Sequence, residues 1–459
     1  MKAAEPLVLP VPRTVRLTGG WWVRDGALVV AGLDTTAPGV RDTILRELAP
    51  ARMAGWERAG VRFLPASAAP AFVARWSRQP EGYGLAVAAD GVRIWARDDV
   101  GRLYGAMTLR QLLRQYDRSL PGLWIADAPK LAHRGVQIPL AQTHTEYRPE
   151  YMRHLVPQLA RWKINALYLY LESFFDFPSL PHSAGPGAMT PADARDLQAW
   201  CRAHGMTLIP MLNLLGHAQE ILYQQRYRHL AEYGPGMDPR TAGGANYCPS
   251  SREARRLCAL MLNDMLDIFE SEIIHCGGDE VALLGACPRC AGGRVRPDPP
   301  TFYVRHFAYL RDLAARRGRR IGLWGDMLLH YGQRASARER ARLWTPLRRG
   351  TVIYDWHYTG GSPETVRLFT REGFDTVRGL HVKQYVGPGV PVAGAGHLPT
   401  PAVWRRGALR RVGRADHGLG QPTGVARGAR QLSFRFRSHG VVVRPDGPDP
   451  GARSPAGTL

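Results

Sequence analysis

The chain has 459 residues, of which 45% are hydrophobic, and it carries 12 tryptophans and a formal charge of +22. This length and apolar content exclude a disordered protein and indicate two or three globular domains with a large core. The charge comes almost entirely from arginines spread along the whole chain, whereas a nucleic-acid-binding surface clusters its cations, so we predict no nucleic-acid partner.

The N-terminal stretch MKAAEPLVLPVPRTV contains prolines where a signal peptide has an unbroken apolar segment. No window of the sequence approaches the roughly 18 consecutive apolar residues that a membrane-spanning helix needs. Six cysteines in a chain of this length do not form a dense disulfide framework, as expected in a reducing compartment. We therefore expect a cytoplasmic protein with no membrane partner.

Residues 1–125 are predicted to form a small α+β accessory domain. Its clearest pattern spans residues 81–116, which indicate a strand, an Asp-Gly turn, a second strand and an amphipathic helix. The apolar residues at helical spacing along that helix are Leu103, Met107, Leu109, Leu112 and Leu113. Nothing in this domain gathers titratable side chains, so we assign it a structural or oligomeric role.

Residues 126–378 alternate strands and helices at intervals of about 30 to 40 residues, which is typical of βαβ units and a parallel sheet. Strands are predicted at residues 134–140, 164–172, 207–214, 271–277, 320–327 and 351–358, with a seventh at 374–377. No glycine-rich phosphate-binding motif follows the first strand, which favours a barrel over a doubly wound sheet. The predicted fold is therefore α/β, a (β/α)8 TIM barrel preceded by a small α+β domain.

The strand–helix pattern stops after residue 378. Residues 381–459 contain 12 Lys and Arg against three Asp and no Glu, with 14 Gly and nine Pro. The barrel is therefore predicted to be incomplete at strands seven and eight, although such a barrel would expose unpaired edges and half of its interior. We interpret residues 379–459 as the out-of-frame translation of a GC-rich gene, with a native, basic disordered tail as the alternative.

Polar and aromatic residues recur at the ends of the predicted strands. We expect them to meet at one rim, because barrel active sites are built at the C-terminal ends of the strands. They are Arg134, Glu172, Asn213, His217, Asp279, Glu280, Trp324, Asp326, Asp355, Trp356 and Tyr358. Carboxylates together with tryptophan and arginine indicate a sugar site, since an apolar sugar face stacks on an indole and its hydroxyls bind charged groups.

Asp279 and Glu280 are adjacent, in the stretch SEIIHCGGDEV. A pair of carboxylates is the usual equipment for hydrolysing a glycosidic bond. Successive side chains diverge, however, so two adjacent residues do not flank such a bond from opposite sides. One member of the pair must therefore do something other than attack the anomeric carbon.

The motif HCGGDE, residues 275–280, resembles the His-x-Gly-Gly-Asp-Glu motif of family 20 glycoside hydrolases, the β-N-acetylhexosaminidases. Three further stretches are similar to that family in the same order: IADAPKLAHRG, KINALYLYLE and GMTLIPMLNLLGHA. Residues 81–116 resemble the small domain that precedes the barrel in these enzymes. The resemblance covers roughly residues 10 to 375.

This resemblance implies a retaining exo-glycosidase that removes terminal β-linked N-acetylhexosamine, with the substrate's own 2-acetamido oxygen as the nucleophile. Glu280 would be the general acid and base, and Asp279 would orient the acetamide N–H and stabilise the oxazolinium intermediate. Arg134 would hold distal hydroxyls and His217 would support the acid. The remaining candidate substrate contacts are Trp324 and Trp356, as pocket walls, with Glu172, Asn213, Asp355 and Tyr358. The aberrant C-terminus would impair this activity, and the resemblance implies no cofactor or metal.

Two other functions are kept open. A non-catalytic sugar-binding barrel would keep the pocket without turnover. A metal-dependent hydrolase would use His217, His275, Asp279 and Glu280, although no His-x-His pair follows the first strand.

The stretch CPRC, residues 287–290, is a CxxC motif that Cys248 or Cys276 could complete as a zinc site. One isolated CxxC is a weak signal. Free thiols are therefore the preferred interpretation over a structural metal.

Overall fold

The computed structural model of the chain describes residues 5–24, 26–140, 146–232, 246–281, 284–291, 298–357, 363–380 and 439–444. Its N-terminal part is a seven-stranded mixed sheet packed with three helices. The strands are β1 (Thr14–Val23), β2 (Leu28–Ala31), β3 (Ala51–Met53), β4 (Val61–Pro65), β5 (Tyr83–Ala88), β6 (Gly91–Ala96) and β7 (Ser119–Asp127). The helices are α1 (Pro38–Glu47), α2 (Ala71–Ser77) and α3 (Asp99–Tyr116). The strand order in the sheet is β1-β7-β5-β6-β4-β2-β3.

Helix α3 follows the pattern predicted for residues 81–116. Asp98 caps it, because its carboxylate accepts a hydrogen bond from the backbone N–H of Gly101 at 2.8 Å. The predicted apolar face is buried at Leu103, Met107, Leu109 and Leu112. The strand–turn–strand–helix prediction therefore corresponds to β5, β6 and α3.

The second part of the described chain forms a barrel surrounded by helices. Its strands and those of the connecting loops are β8 (His133–Pro139), β9 (Ala166–Tyr170), β10 (Thr207–Met211), β11 (Ala231–Glu232), β12 (Asn246–Tyr247), β13 (Ile273–His275), β14 (Arg320–Trp324), β15 (Thr351–His357), β16 (Asp375–Leu380) and β17 (His439–Arg444). The helices are α4 (Pro149–Arg161), α5 (Pro191–Ala203), α6 (Gln219–Leu222), α7 (Arg252–Ile268), α8 (Pro288–Ala291), α9 (Pro299–Ala315), α10 (Asp326–Gly332), α11 (Ala337–Arg348) and α12 (Pro363–Arg371). Among the described residues, every helix is too short or too polar to cross a bilayer.

The barrel closes in the strand order β10-β13-β14-β15-β16-β17-β8-β9, while β11 and β12 form a separate antiparallel pair. Seven strands are parallel to their neighbours, so the predicted TIM-barrel fold is confirmed. The eighth position differs, because β17 runs antiparallel between β16 and β8. Apart from residues 379–380 and 439–444, the predicted tail lies outside the described residues, and its origin stays a prediction.

Ion pairs with buried carboxylates join the N-terminal domain to the start of β9 and the end of α4. The Nζ of Lys163, just before β9, lies 2.6 Å from Oδ2 of Asp127 at the end of β7, with both side chains less than 10% exposed. Glu47 on α1 contacts Arg161 on α4 at 2.8 Å. Desolvated charges are tolerated only when they are paired, so these contacts fix where the sheet docks. It docks at the N-terminal ends of the strands, which leaves their C-terminal ends open for a site.

Candidate active site

Strand β13 delivers two adjacent carboxylates to the C-terminal rim of the barrel. Between the strand and these residues, Gly277 and Gly278 have φ angles of +69° and +89°, in the left-handed region that favours glycine. A Cβ on Gly277 would lie 1.6 Å from Oδ1 of Asn213, and one on Gly278 would lie 2.8 Å from the hydroxyl of Tyr303. Backbone conformation and close packing therefore both require the two glycines of the motif.

Glu280 lies at the rim with its side chain 46% exposed. Its Oε2 is 3.2 Å from Nε2 of His217. Its backbone N–H donates to Oδ2 of Asp326 at 2.9 Å, and its φ angle is +46°. For a residue other than glycine, this backbone conformation costs about 1–3 kcal/mol of conformational free energy. The contacts of Glu280, rather than backbone preference, therefore hold the carboxylate in position.

The neighbouring carboxylate of Asp279 lies in a different environment. Its side chain is only 13% exposed, and its Oδ2 is 3.6 Å from Nε2 of His217. Among the described residues, its buried Oδ1 has no hydrogen-bond partner, which is unusual and marks a position for a donor from a ligand. Burial raises the pKa of Asp279 to about 7, against the opposing charge of His217.

His217 contacts both carboxylates. Although burial lowers its pKa, the contact of Nε2 with the Glu280 carboxylate and the charges of Asp279 and Glu280 raise the pKa of His217 to about 9. The same contact holds the pKa of Glu280 below its ordinary value. Near neutral pH, His217 and Glu280 therefore form a charged pair that binds and releases its proton as a unit.

A buried polar network from β9 and β10 lies beneath these groups. The carboxylate of Glu172 accepts a hydrogen bond from the backbone N–H of Asn213, and Nδ2 of Asn213 donates to the hydroxyl of Tyr170 at 2.5 Å. Burial raises the pKa of Glu172 to about 8. Glu172 and Asn213 are 2% and 1% exposed, so the structure brings both to the site as buried positioning residues.

Trp324 and Trp356, the predicted pocket walls, lie together beside the carboxylates. Their ring centroids are 6.4 Å apart with the planes at 74°. The indole Nε1 of Trp356 donates to Oδ1 of Asp326 at 3.3 Å. Because Oδ2 of Asp326 accepts from the backbone of Glu280, this aspartate ties Trp356 to the loop that carries Glu280.

The structure corrects the prediction for Arg134. Its Nη2 contacts the carboxylate of Glu81 and donates to the hydroxyl of Tyr104 at 3.0 Å. Its backbone N–H donates to the side chain of Asn165, just before β9. These partners belong to the N-terminal end of the barrel and to the accessory domain, opposite the rim that carries Glu280. A residue that opens a parallel strand lies at the other end from residues that finish one.

The structure also corrects the prediction for Asp355. The hydroxyl of Tyr354, the preceding residue, lies 3.0 Å from that of Tyr168 across the barrel interior. Since side chains alternate along a strand, Asp355 faces the helices instead, where its Oδ2 accepts from Oγ1 of Thr365 at 2.6 Å. Its 1% exposure makes it a buried structural carboxylate.

Asp326 was expected at the rim without a role, and the structure shows its two hydrogen bonds. Two further residues belong to the site. Tyr170 ends β9, and its hydroxyl accepts from Nδ2 of Asn213. The hydroxyl of Tyr303 on α9 donates to the carbonyl of Gly278 at 2.9 Å, a contact without any sequence signal. The predicted substrate contact Tyr358 lies outside the described residues.

The alternative metal-dependent site required two imidazoles to converge on the carboxylates. The ring of His275 instead packs in the barrel interior, with its centroid 4.5 Å from those of Trp324 and Tyr354. Burial lowers its pKa to about 3, and its Nδ1 accepts from the backbone N–H of Gly277 at 3.1 Å. Among the described residues, ligand atoms converge closely enough for a metal at a different cluster.

Comparison with known families gives two matches that together span most of the chain. The model described as glycosyl hydrolase family 20, domain 2, matches residues 5–128. The model described as glycosyl hydrolase family 20, catalytic domain, matches residues 131–387. These matches cover the N-terminal sheet and the barrel through its seventh strand.

Individual proteins show the same similarity. The chain is 28% identical over 281 residues to a β-hexosaminidase of Akkermansia muciniphila, covering 54% of this chain and 55% of that protein. It is 24% identical over 337 residues to a β-hexosaminidase of Vibrio furnissii, covering 64% and 51%. The chain thus spans about half the length of these curated relatives.

Solved structures share the fold. The β-N-acetylhexosaminidase of Bacteroides fragilis superimposes with a TM-score of 0.65 at 18% identity, over 81% of this chain and 74% of that one. The family 20 β-N-acetylhexosaminidase of Streptomyces coelicolor A3(2) gives 0.63 at 19% identity, over 82% and 76%.

Proposed function

We propose that this chain, which belongs to glycosyl hydrolase family 20, removes terminal β-linked N-acetylhexosamine from a glycoside with retention at the anomeric carbon. One observation carries the proposal: two adjacent carboxylates have separate environments. The side chain of Glu280 is about half exposed beside His217, whereas that of Asp279 is 13% exposed. Within the described part of the chain, the buried Oδ1 of Asp279 has no hydrogen-bond partner. Such a pair suits one proton-transfer group and one group that binds a substrate donor.

The proposed reaction uses the substrate's 2-acetamido oxygen as the nucleophile. That oxygen attacks the anomeric carbon while Glu280 passes the proton held by the His217–Glu280 pair to the departing glycosidic oxygen. Oδ1 of Asp279 accepts the acetamide N–H, and its negative charge stabilises the oxazolinium cation that forms. Glu280 then takes a proton from water, which attacks the same carbon. Two inversions give net retention, and the protein supplies no covalent nucleophile.

Activity is expected to require the acetamido group. 4-Nitrophenyl N-acetyl-β-D-glucosaminide or the galactosaminide should be hydrolysed, and kcat/KM for 4-nitrophenyl β-D-glucoside should be at least about 10³-fold lower, because it lacks the internal nucleophile. Proton NMR of the reaction should show the β-anomer as the first product. Binding of N-acetylglucosamine without turnover would instead support a sugar-binding barrel, and equal hydrolysis of the glucoside would contradict participation of the acetamide.

The pH profile of kcat/KM is expected to be bell-shaped. Only ionised Asp279 stabilises the cation, and its raised pKa places the acid limb near pH 7. The His217–Glu280 pair must hold its proton, which it loses as the pH rises through the pKa of His217, about 9. His217→Gln removes the partner that retains this proton, so the alkaline limb should move to lower pH by at least about one unit.

His229→Gln is the matched control for this profile. His229 also pairs with a glutamate, at 3.1 Å from Glu253, but on the surface with both side chains more than half exposed. Its variant should keep the wild-type limbs. If the alkaline limb of His217→Gln stayed near pH 9, the assignment of the shared proton to this pair would be wrong.

The proposed chemistry indicates the class of substrate. We infer an oligosaccharide or glycoconjugate with a terminal N-acetylhexosamine as the substrate, since that sugar carries the required nucleophile. A role in carbohydrate metabolism follows from the same chemistry. The cytoplasmic location predicted from the cysteine content stays a prediction.

A further inference from the structure

Three cysteines and one glutamate form a buried group on the loops that follow β10 and β13. This cysteine cluster consists of Glu232, Cys248, Cys287 and Cys290, each at most 5% exposed. One ligand atom from each residue can be chosen so that all four lie within 4.8 Å of one another. Sγ of Cys248 lies 3.5 Å from both other sulfurs, and Sγ of Cys290 lies 3.2 Å from Oε2 of Glu232.

Three of the six separations between the ligand atoms are close to the edges of a metal-centred tetrahedron, and all six are at most 4.8 Å. With Zn–S and Zn–O distances of about 2.3 and 2.0 Å, tetrahedral angles place two sulfurs about 3.8 Å apart and a sulfur and an oxygen about 3.5 Å apart. The observed contacts of 3.5 and 3.2 Å agree within a few tenths of an ångström. A disulfide would need sulfurs about 2.05 Å apart and would use only two of the three.

The chemistry of the cluster calls for a cation. The buried carboxylate of Glu232 lies against three buried thiols, and the four residues of the cluster include no cationic side chain. A divalent ion would hold the thiols as thiolates and neutralise the carboxylate at once. The backbone N–H of Cys287 donates to Oε1 of Glu232 at 2.8 Å, which orients Oε2 toward the sulfurs as an outer hydrogen bond does in metal sites.

We propose that Glu232, Cys248, Cys287 and Cys290 bind one Zn²⁺ in a closed structural site. Thiolates are soft ligands that select zinc over magnesium or calcium. Four buried protein ligands leave no position for water, which is the arrangement of a structural site and not of a catalytic one. The ion would join the loop after β10, which carries His217, to the loop after β13, which carries Glu280.

The structure also selects the third cysteine. Cys248 and Cys276 were equal candidates from the sequence. Sγ of Cys276 lies 3.5 Å from the carbonyl of Ile274, directly after β13, whereas Cys248 follows β12. Because β12 pairs with β11, which carries Glu232, one short ladder places two ligands of the cluster side by side.

Metal analysis of the purified full chain tests the proposal. Wild type is expected to contain about one zinc per chain, and Cys287→Ser and Cys290→Ser less than about 0.2. A zinc-selective chelator should lower the Tm of wild type and leave the Tm of these variants unchanged. Cys201→Ser is the matched control, because Cys201 on α5 is also buried but is not part of the cluster, and it should keep the zinc.

X-ray absorption at the zinc edge of wild type keeps the test decisive if the serine variants do not fold. The expected shell is three sulfurs at about 2.3 Å and one oxygen at about 2.0 Å. Folded wild type, expressed with added zinc, that contains less than about 0.1 metal per chain would overturn the proposal. Three other results would also overturn the proposal. They are zinc retained by the folded Cys287→Ser and Cys290→Ser variants, iron bound in place of zinc, and a disulfide between two of these cysteines.

Discussion

Glu280→Gln is expected to lower kcat/KM for an N-acetylhexosaminide by about 10²–10⁴-fold, the usual contribution of a positioned general acid. Glutamine preserves the shape of the side chain but cannot donate a proton to the leaving oxygen. The carboxylate is held by His217 at 3.2 Å and by the hydrogen bond from its own backbone to Asp326. The loss should therefore appear in the chemical step, with little change in KM.

The identity of the leaving group separates proton transfer from general damage to the site. A 4-nitrophenolate departs with less help from an acid than a sugar hydroxyl, so Glu280→Gln should lose less kcat/KM on the nitrophenyl substrate than on a β-linked disaccharide. Glu272→Gln is the control. Glu272 directly precedes β13, which leads to Glu280, but its side chain is 68% exposed and pairs with Arg320. This variant should behave as wild type. Equal losses on both substrates would contradict the role of Glu280 as the acid.

Barrel strands were predictable because their signal is local. Each parallel strand reads as an apolar run that ends in polar residues, and all seven lie within a few residues of their predicted positions. The convergence of His217, Asp279 and Glu280 then follows from topology alone, since the C-terminal ends of parallel strands meet at one rim. The antiparallel strand β17 carries no such signal, because its pairing with β8 joins segments about 300 residues apart.

The two misplaced residues, Arg134 and Asp355, show how strand geometry limits a prediction from motifs. Arg134 stands at the start of β8, so strand direction alone sends it to the opposite rim. Asp355 stands between Tyr354 and Trp356, both of which face inward, so the alternation of side chains sends it outward. Both rules were available from the sequence, whereas similarity to a motif says nothing about which face a residue occupies.

Long-range contacts were beyond the sequence. The unpartnered Oδ1 of Asp279, defined within the described part of the chain, results from burial between several strands and could not be inferred from the dipeptide. Glu232 has no local signal as a ligand of the cysteine cluster. Its role appears only once β11 pairs with β12 and the loop after β13 folds over them. Such features depend on packing between distant segments.

Asp279→Asn is expected to lower kcat by about 10²–10³-fold, the scale of losing one preorganised electrostatic contact to a transition state. Asparagine can still accept the acetamide N–H, but it brings no negative charge to the oxazolinium cation. The acid limb near pH 7 should vanish in this variant, because that limb reports the titration of the Asp279 carboxyl, whose pKa is raised by burial to about 7. Measurements of kcat between pH 5 and 8 on the nitrophenyl N-acetylhexosaminide check both effects.

The loss of activity in Asp279→Asn should not come from unfolding. The folded pKa of Asp279 is raised to about 7 from 3.8, so the stability it contributes is present at low pH and declines as the pH rises through 7. Above that pH the neutral asparagine should leave the Tm equal to or higher than that of wild type. Asp267→Asn, on the surface beside Arg317 with 57% exposure, is the control for charge removal. An Asp279→Asn enzyme that kept its acid limb near pH 7 would show that another group titrates there, and the division of labour between the two carboxylates would have to be reassigned.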